Sequence, residues 1–355
     1  MTELVPFLKQ LLSLPGLSGY EAPVRAVIAD AWRPLVDELH TSKLGSLHGL
    51  RRAAGSSLPG QARRILLSAH MDAIGLIATR VTGGLIHFTQ IGGVDPRILP
   101  GQPVTVYGRQ ELAGVIVQPA DRLLPPAQGD KPVAMEHLLV DTGLPAQEVA
   151  SLVRPGDLIA FAQPPLELAG ETMSGHTLDN RASVAAVTLC LDELRHSTAA
   201  WDTWAVASVQ EETVLGGAYT SPFEIRPDIA IAIDVTHARG AGNSDYRTFP
   251  LGQGPTLGWG PNIHPAIFNA MKELADQLEI PVVMEPLPNM SGTDAWGMQV
   301  VAEGIPTMVI GIPLRYMHTP VEVVSLKDIR RAAHLMAEFI ARLEPDFLEK
   351  IRWDE

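Results

Sequence analysis

The stretch Ile65-Leu66-Leu67-Ser68-Ala69-His70-Met71-Asp72 opens as a short apolar run and closes on two side chains able to bind a metal or a proton. A run of that length bounded by polar residues predicts a buried strand. Open α/β sheets place their ligands beyond the carboxyl ends of such strands, which is where His70 and Asp72 fall. The pattern recurs. Trp204 to Val209 reads as a strand followed by Glu211-Glu212, Ile229 to Ile233 as one ending at Asp234, and Met308 to Ile312 as one whose following loop carries His318. Helical spacing lies between and around these runs: Arg181 to Leu194 with Asp179 just before it, Pro265 to Leu278, and a last helix capped by Ser325 and reaching Leu343. Upstream, Leu4, Phe7, Leu8, Leu11 and Leu12 share a helical face. Ser18-Gly19-Tyr20-Glu21 reads as a capping box for a helix carrying Val24, Ile28 and Trp32. Alternating strands and helices predict an α/β fold.

From Ala73 to Gln163 the texture changes. Leu76 to Val81 and Leu85 to Gln90 flank the turn Thr82-Gly83-Gly84, and Val104 to Tyr107 and Leu112 to Val117 follow Pro100, Gly101 and Pro103. A helix is expected only around Ala146 to Leu152. The expected organisation is an α/β unit over residues 1–72 and 164–355, interrupted by a β-rich insert over 73–163.

At 355 residues, one large unit and a smaller one suit the length. A formal net charge of -13, with no basic run, argues against nucleic acid as a partner. No segment reaches the roughly 20 apolar residues of a membrane span. The first residues lack the basic start and long apolar stretch of a signal peptide, so a cytoplasmic location is expected. The single cysteine, Cys190, sits in an apolar run and reads as a core residue.

The strand-end residues define the chemistry. His70, Asp179, Glu212, Asp234 and His318 form a mixed imidazole and carboxylate set that suits zinc, cobalt or manganese. Two imidazoles among five ligands is the balance expected when one carboxylate bridges two ions. Each residue alone would read as a helix cap or a solvated loop; their recurrence at one end of the sheet carries the reading. Glu211, beside Glu212, suits a proton carrier, provided the strand has ended so that both can face inward. Asp72 could accept the second N–H of His70 and fix its tautomer. The other histidines read as surface or loop residues, with His176 and His237 close in sequence to ligands. No His-Glu-x-x-His helix, Gly-x-Ser-x-Gly elbow or Walker loop is present. The residues 239–260, Asn262 and the segment Pro286 to Gly292 are expected to line a substrate pocket.

His70-Met71-Asp72, Leu178-Asp179-Asn180-Arg181, Gln210-Glu211-Glu212, Ile233-Asp234-Val235-Thr236 and Arg315-Tyr316-Met317-His318-Thr319-Pro320 together resemble metallopeptidase family 42, the tetrahedral, glutamyl and deblocking aminopeptidases. The likeness extends to Gly92-Gly93-Val94-Asp95 and Gly292-Thr293-Asp294-Ala295. It implies a zinc-aminopeptidase-like mixed sheet flanked by helices, and an inserted barrel that mediates dimerisation. It implies two divalent ions per subunit bridged by Asp179, with His70 and Asp234 on one, Glu212 and His318 on the other, Glu211 as general base and Asp72 orienting His70. It further implies peptide substrates and dimers that assemble into a tetrahedral dodecamer. The chain departs from the family pattern at Ala73, His176 and Ser42-Lys43-Leu44-Gly45-Ser46. A metal amidohydrolase acting on acylated amino acids, and a catalytically silent shell of the same fold, are the competing readings.

Overall fold

The computed structural model describes residues 2–54, 62–120, 124, 132–240, 242 and 244–352. Its centre is an 11-stranded mixed sheet flanked by helices. Four strands form the parallel middle, in the order Asp202–Ser208, Arg64–His70, Ile229–His237 and Thr307–Arg315. Ile65, Leu66 and Leu67 are fully buried, as are Ile229 to Ala232, because a parallel strand covered on both faces needs a continuous apolar run. Antiparallel strands complete both edges: Leu47–Arg51 and Glu38–Thr41 on one side, then Glu322–Ser325, Thr172–Gly175 and Leu166–Leu168 on the other. The α/β expectation holds, and these edges explain why the sheet is mixed.

Register brings the strand ends together. Ser208 pairs with His70, so the turn carrying Glu211 and Glu212 leaves the sheet beside His70. Asp234 was expected at a strand end, but its strand runs on to His237. Pairing with the Arg64–His70 strand stops at Ala232, while pairing with Thr307–Arg315 continues to His237. Asp234 therefore stands at the edge of a local gap in the ladder rather than at the end of the strand.

The helix Leu178–Leu194 packs on the central strands and against the last helix, Leu326–Arg342. Asp179 and Asn180 at its start have non-helical backbone angles, so regular helix begins after them. Cys190 lies in this helix, fully buried. The expected capping box does not form. The helix runs Ala22–Trp32, the Ser18 hydroxyl pairs with that of Thr213 at 2.9 Å, and the Glu21 carboxylate accepts from Gly19 and Gln210 instead. No described helix is long and apolar enough to cross a membrane.

Six strands between Gly75 and Phe161 close into a barrel: Gly75–Thr82, Leu85–Ile91, Leu139–Asp141, Glu111–Val117, Pro103–Tyr107 and Leu158–Phe161, in that order around it. The two-residue turn Gly83-Gly84 has φ of 62° and 85°, the positive pair that a type I′ hairpin requires. Closure leaves no unpaired edge. Leu76, Ile86, Val106, Ile116, Val140 and Ile159 fill an interior separate from the core of the sheet.

Candidate metal centre

One cavity of about 380 Å³ at the carboxyl end of the parallel strands is lined by His70, Asp179, Glu211, Glu212, Asp234 and His318. The imidazole Nε2 of His70 lies 3.2 Å from Asp179 Oδ1, 3.7 Å from Glu211 Oε2 and 3.8 Å from Asp234 Oδ1. His318 Nε2 lies 3.4 Å from Asp179 Oδ2 and 3.3 Å from Glu212 Oε2. Asp179 thus presents one oxygen to each imidazole.

Adjacent Glu211 and Glu212 both face this cavity because the strand ends at Ser208. Gln210 takes a left-handed conformation (φ 59°), and Glu211–Val214 forms a helical turn. Asp72 lies fully buried beneath that turn. Its carboxylate accepts the backbone N–H of Glu211 at 3.0 Å and of Glu212 at 3.2 Å. His70 Nδ1 lies 3.2 Å from the Asp72 carbonyl oxygen and 3.5 Å from Oδ1. The nearer acceptor for the imidazole is therefore the carbonyl, and the Asp72 side chain is spent chiefly on the glutamate turn.

The electrostatics favour added positive charge. Burial would lower the pKa of His70, yet Glu211, Asp179, Asp72 and Asp234 together hold it well above the usual histidine value. Burial would raise Asp179, yet the His318 and His70 imidazoles hold it well below the ordinary carboxylate range. Burial pushes Glu211 up to about 8; His70 pulls the other way, and Asp294, Asp179 and Asp72 push further up. Glu212 and Asp234 are raised by the same burial and crowding. Glu212 Oε1 is buried with no hydrogen-bond partner. Two imidazoles do not neutralise so many buried carboxylates, and an unpaired buried oxygen is costly. The donor set fits divalent cations.

Three neighbours of the cavity have structural roles that the sequence reading did not assign, although Asp294 and Gly93 stand in its family-like motifs. Glu322 is buried, and its carboxylate accepts the N–H of Asp179 at 3.1 Å and of His318 at 2.9 Å, joining two lining residues from behind. Nothing in Val321-Glu322-Val323-Val324 marks this role; the only hint is a carboxylate inside a strand-like run. Asp294 Oδ2 accepts the hydroxyls of Ser68 and Ser208, both at 2.6 Å, and so locks the ends of two parallel strands. Gly93 lies two residues past the barrel strand Leu85–Ile91, and a Cβ built there would stand 2.9 Å from His318 Nδ1.

Other expectations divide. Met290 and Gly292 line the cavity, together with Leu215, Val235, Trp296 and Met317. No described residue of 239–260 does. Asn262 is also absent from the lining, because its side chain is engaged with Ala295, Gln299 and Ser291. His237 is exposed at its strand end. His176 is buried against the Phe161 ring, outside the cavity, and burial with Arg181 nearby pushes it down to about 3.

The M42 glutamyl aminopeptidase profile matches residues 55–335. The chain belongs to this family. Membership makes it a metal-dependent hydrolase of peptides. It is 33% identical over 345 residues to a lysyl aminopeptidase of Pyrococcus furiosus, covering 95% of this chain and 97% of the relative. An aminopeptidase from Desulfurococcus kamchatkensis superposes with a TM-score of 0.90 at 30% identity, covering 98% of this chain and 97% of that one. The TET1 peptidase of Pyrococcus horikoshii, described as assembling into a tetrahedron or a large octahedral shell, superposes with a TM-score of 0.80 at 26% identity, covering 96% and 100%.

Proposed function

We propose that this chain is a dinuclear aminopeptidase that removes residues from the amino ends of peptides. The observation carrying the reading is Asp179, whose two oxygens face two separate imidazole–carboxylate groups. In this assignment two divalent ions would be held by Asp179, shared between them, with His70 and Asp234 completing one site and Glu212 and His318 the other. Zinc or cobalt suits these donors best, and manganese is also compatible. When bound, the ions supply Lewis-acid polarisation of a peptide carbonyl and acidify water.

The protein's own part is positional and protic. Glu211 takes a proton from the attacking water and delivers it to the leaving amine. Its position suits this, because the carboxylate lines the cavity 3.7 Å from His70 Nε2, beside Glu212. Asp72 aims the Glu211–Glu212 turn and, through its carbonyl, the ring of His70. Met290, Trp296 and Met317 give the entrance an apolar wall for a substrate side chain.

The assignment extends to organisation. Residues 1–72 and 164–355 act as the catalytic unit, and residues 73–163 as a dimerisation unit, with dimers building a cytoplasmic tetrahedral dodecamer. The support is the separate barrel core and the likeness to the TET1 peptidase.

Glu211→Gln tests the mechanism. It keeps two ions per chain by elemental analysis and lowers kcat by about 10²–10⁴-fold on aminoacyl p-nitroanilides, the range expected for a lost general base. Near-normal turnover would remove Glu211 from the chemistry. Turnover of N-acetylated amino-acid anilides in preference to free-amine ones would overturn the aminopeptidase reading.

A further inference from the structure

A second cluster of metal-competent side chains lies away from the cavity, at the edge of the sheet. His40 and His48 are directly opposed in the antiparallel pair Glu38–Thr41 and Leu47–Arg51. Directly opposed residues project from the same face of a sheet, so both imidazoles lie together; their ring centroids are 5.0 Å apart. The helix Gly216–Ile225 supplies the third group. Glu224 Oε1 lies 3.2 Å from His40 Nε2 and 4.0 Å from His48 Nδ1. One ligand atom from each of the three residues lies within 4.8 Å of the others.

His48 carries the argument further. It is fully buried, and its Nε2 lies 3.0 Å from the Ser221 hydroxyl. Its other nitrogen, Nδ1, is buried with no hydrogen-bond partner, and it points toward Glu224. A buried polar atom left unpaired in a native fold calls for a reason. With Nε2–H donating to Ser221, Nδ1 keeps its lone pair free, which is the arrangement in which a neighbouring hydrogen bond fixes the tautomer of a metal-binding imidazole. Zinc holds nitrogen and oxygen ligands at about 2.0–2.2 Å in a tetrahedron, so its ligand atoms lie roughly 3.3–3.5 Å apart. The observed 3.2 and 4.0 Å separations bracket that spacing. The side chains of His40 and Glu224 are 43% and 49% exposed, which gives an ion a route in and leaves room for water as a fourth ligand.

We propose that His40, His48 and Glu224 form a further cation site, distinct from the strand-end centre, that takes a divalent ion of the zinc type. Such an ion ties the edge hairpin to the helix that follows the Glu211–Glu212 turn.

The test is zinc content of the intact protein, equilibrated with micromolar zinc and measured by mass spectrometry. His40→Ala and Glu224→Ala alter partly exposed side chains, so both variants should fold. Each is expected to hold one zinc per chain fewer than the unaltered protein, with kcat/KM unchanged. Cobalt substitution supplies a second readout: the visible absorption of the unaltered protein contains a component missing from both variants. Equal zinc content in all three proteins overturns the proposal, leaving His40 and Glu224 as an ordinary ion pair. Because the reading is a difference between variants, it stands apart from the number of ions at the strand-end centre. His318→Ala removes metal there and leaves the His40-dependent zinc in place.

Discussion

Between Gly75 and Phe161 no described charged residue is buried; the barrel interior is filled by Leu76, Ile86, Phe88, Val106, Ile116, Val140 and Ile159. The end of the parallel sheet does the reverse, gathering Asp72, Asp179, Asp234 and Asp294 in buried positions around His70. The two regions spend burial in opposite ways. Each fully buried aliphatic side chain in the barrel stabilises it by about 1.5–3 kcal/mol. Each buried carboxylate at the sheet end weakens the fold unless it is paired, hydrogen-bonded or ligating. The supporting hydrogen bonds show how the burden is spread: Glu322 holds two backbone N–H groups, Asp294 two hydroxyls and Asp72 the glutamate turn. The barrel interior is held by apolar packing alone, whereas the cavity rests on packed strands such as Arg64–His70 and needs polar clamps besides.

The largest effect that would test this contrast is expected from Asp179→Ala. Losing the carboxylate that faces both imidazoles, one oxygen to each, should empty both sites together and lower kcat/KM by about 10³-fold or more, comparable with removing a preorganised electrostatic element. Loss of one ion with the other retained would break the shared-ligand reading. Glu322→Gln comes next. It keeps one oxygen acceptor but replaces the other, so the clamp that joins Asp179 to His318 loses one of its two hydrogen bonds and metal affinity should fall about 10–100-fold, as for other partners behind metal ligands. Titration with a competing chelator reads this directly. Unchanged affinity would reduce Glu322 to a structural residue.

The same contrast explains what could be read in the sequence. Buried parallel strands announce themselves as apolar runs, so Ile65 to Leu67 and Ile229 to Ile233 were visible, and with them the residues that follow. The hairpin turn at Gly83-Gly84 was visible for a similarly local reason. Edge strands such as Glu38–Thr41 and Leu166–Leu168 were not, because an exposed strand lacks the apolar run. Glu322 and Asp294 were not assigned as supports, since a clamp is defined by partners 143 and 226 residues away rather than by its neighbours. The capping-box reading of Ser18 and Glu21 failed for the same reason, since Thr213 and Gln210 take those side chains across the fold. Local pattern finds the elements, and long-range polar pairing is invisible to it.

Gly93 is where the two regions meet, and Gly93→Ala should show a smaller effect than the substitutions above. A methyl group 2.9 Å from His318 Nδ1 must displace that ring, because the glycine, just past the barrel strand Leu85–Ile91, lies against the imidazole that lines the cavity. Overpacking of this kind costs about 1–3 kcal/mol. The expected outcome is roughly a tenfold fall in kcat/KM, with the metal facing His318 held more weakly and the thermal midpoint little changed. The smallest effect belongs to the barrel alone. Ile159→Val deletes one methylene from its packed interior, at a cost of about 0.5–1.5 kcal/mol. That should lower the midpoint of denaturant unfolding and leave kcat/KM untouched. If Ile159→Val instead lowers activity as Gly93→Ala does, the barrel is coupled to the cavity through its whole core. The division between a stabilising interior and a polar, clamp-held one would then have to be replaced by a single mechanical unit.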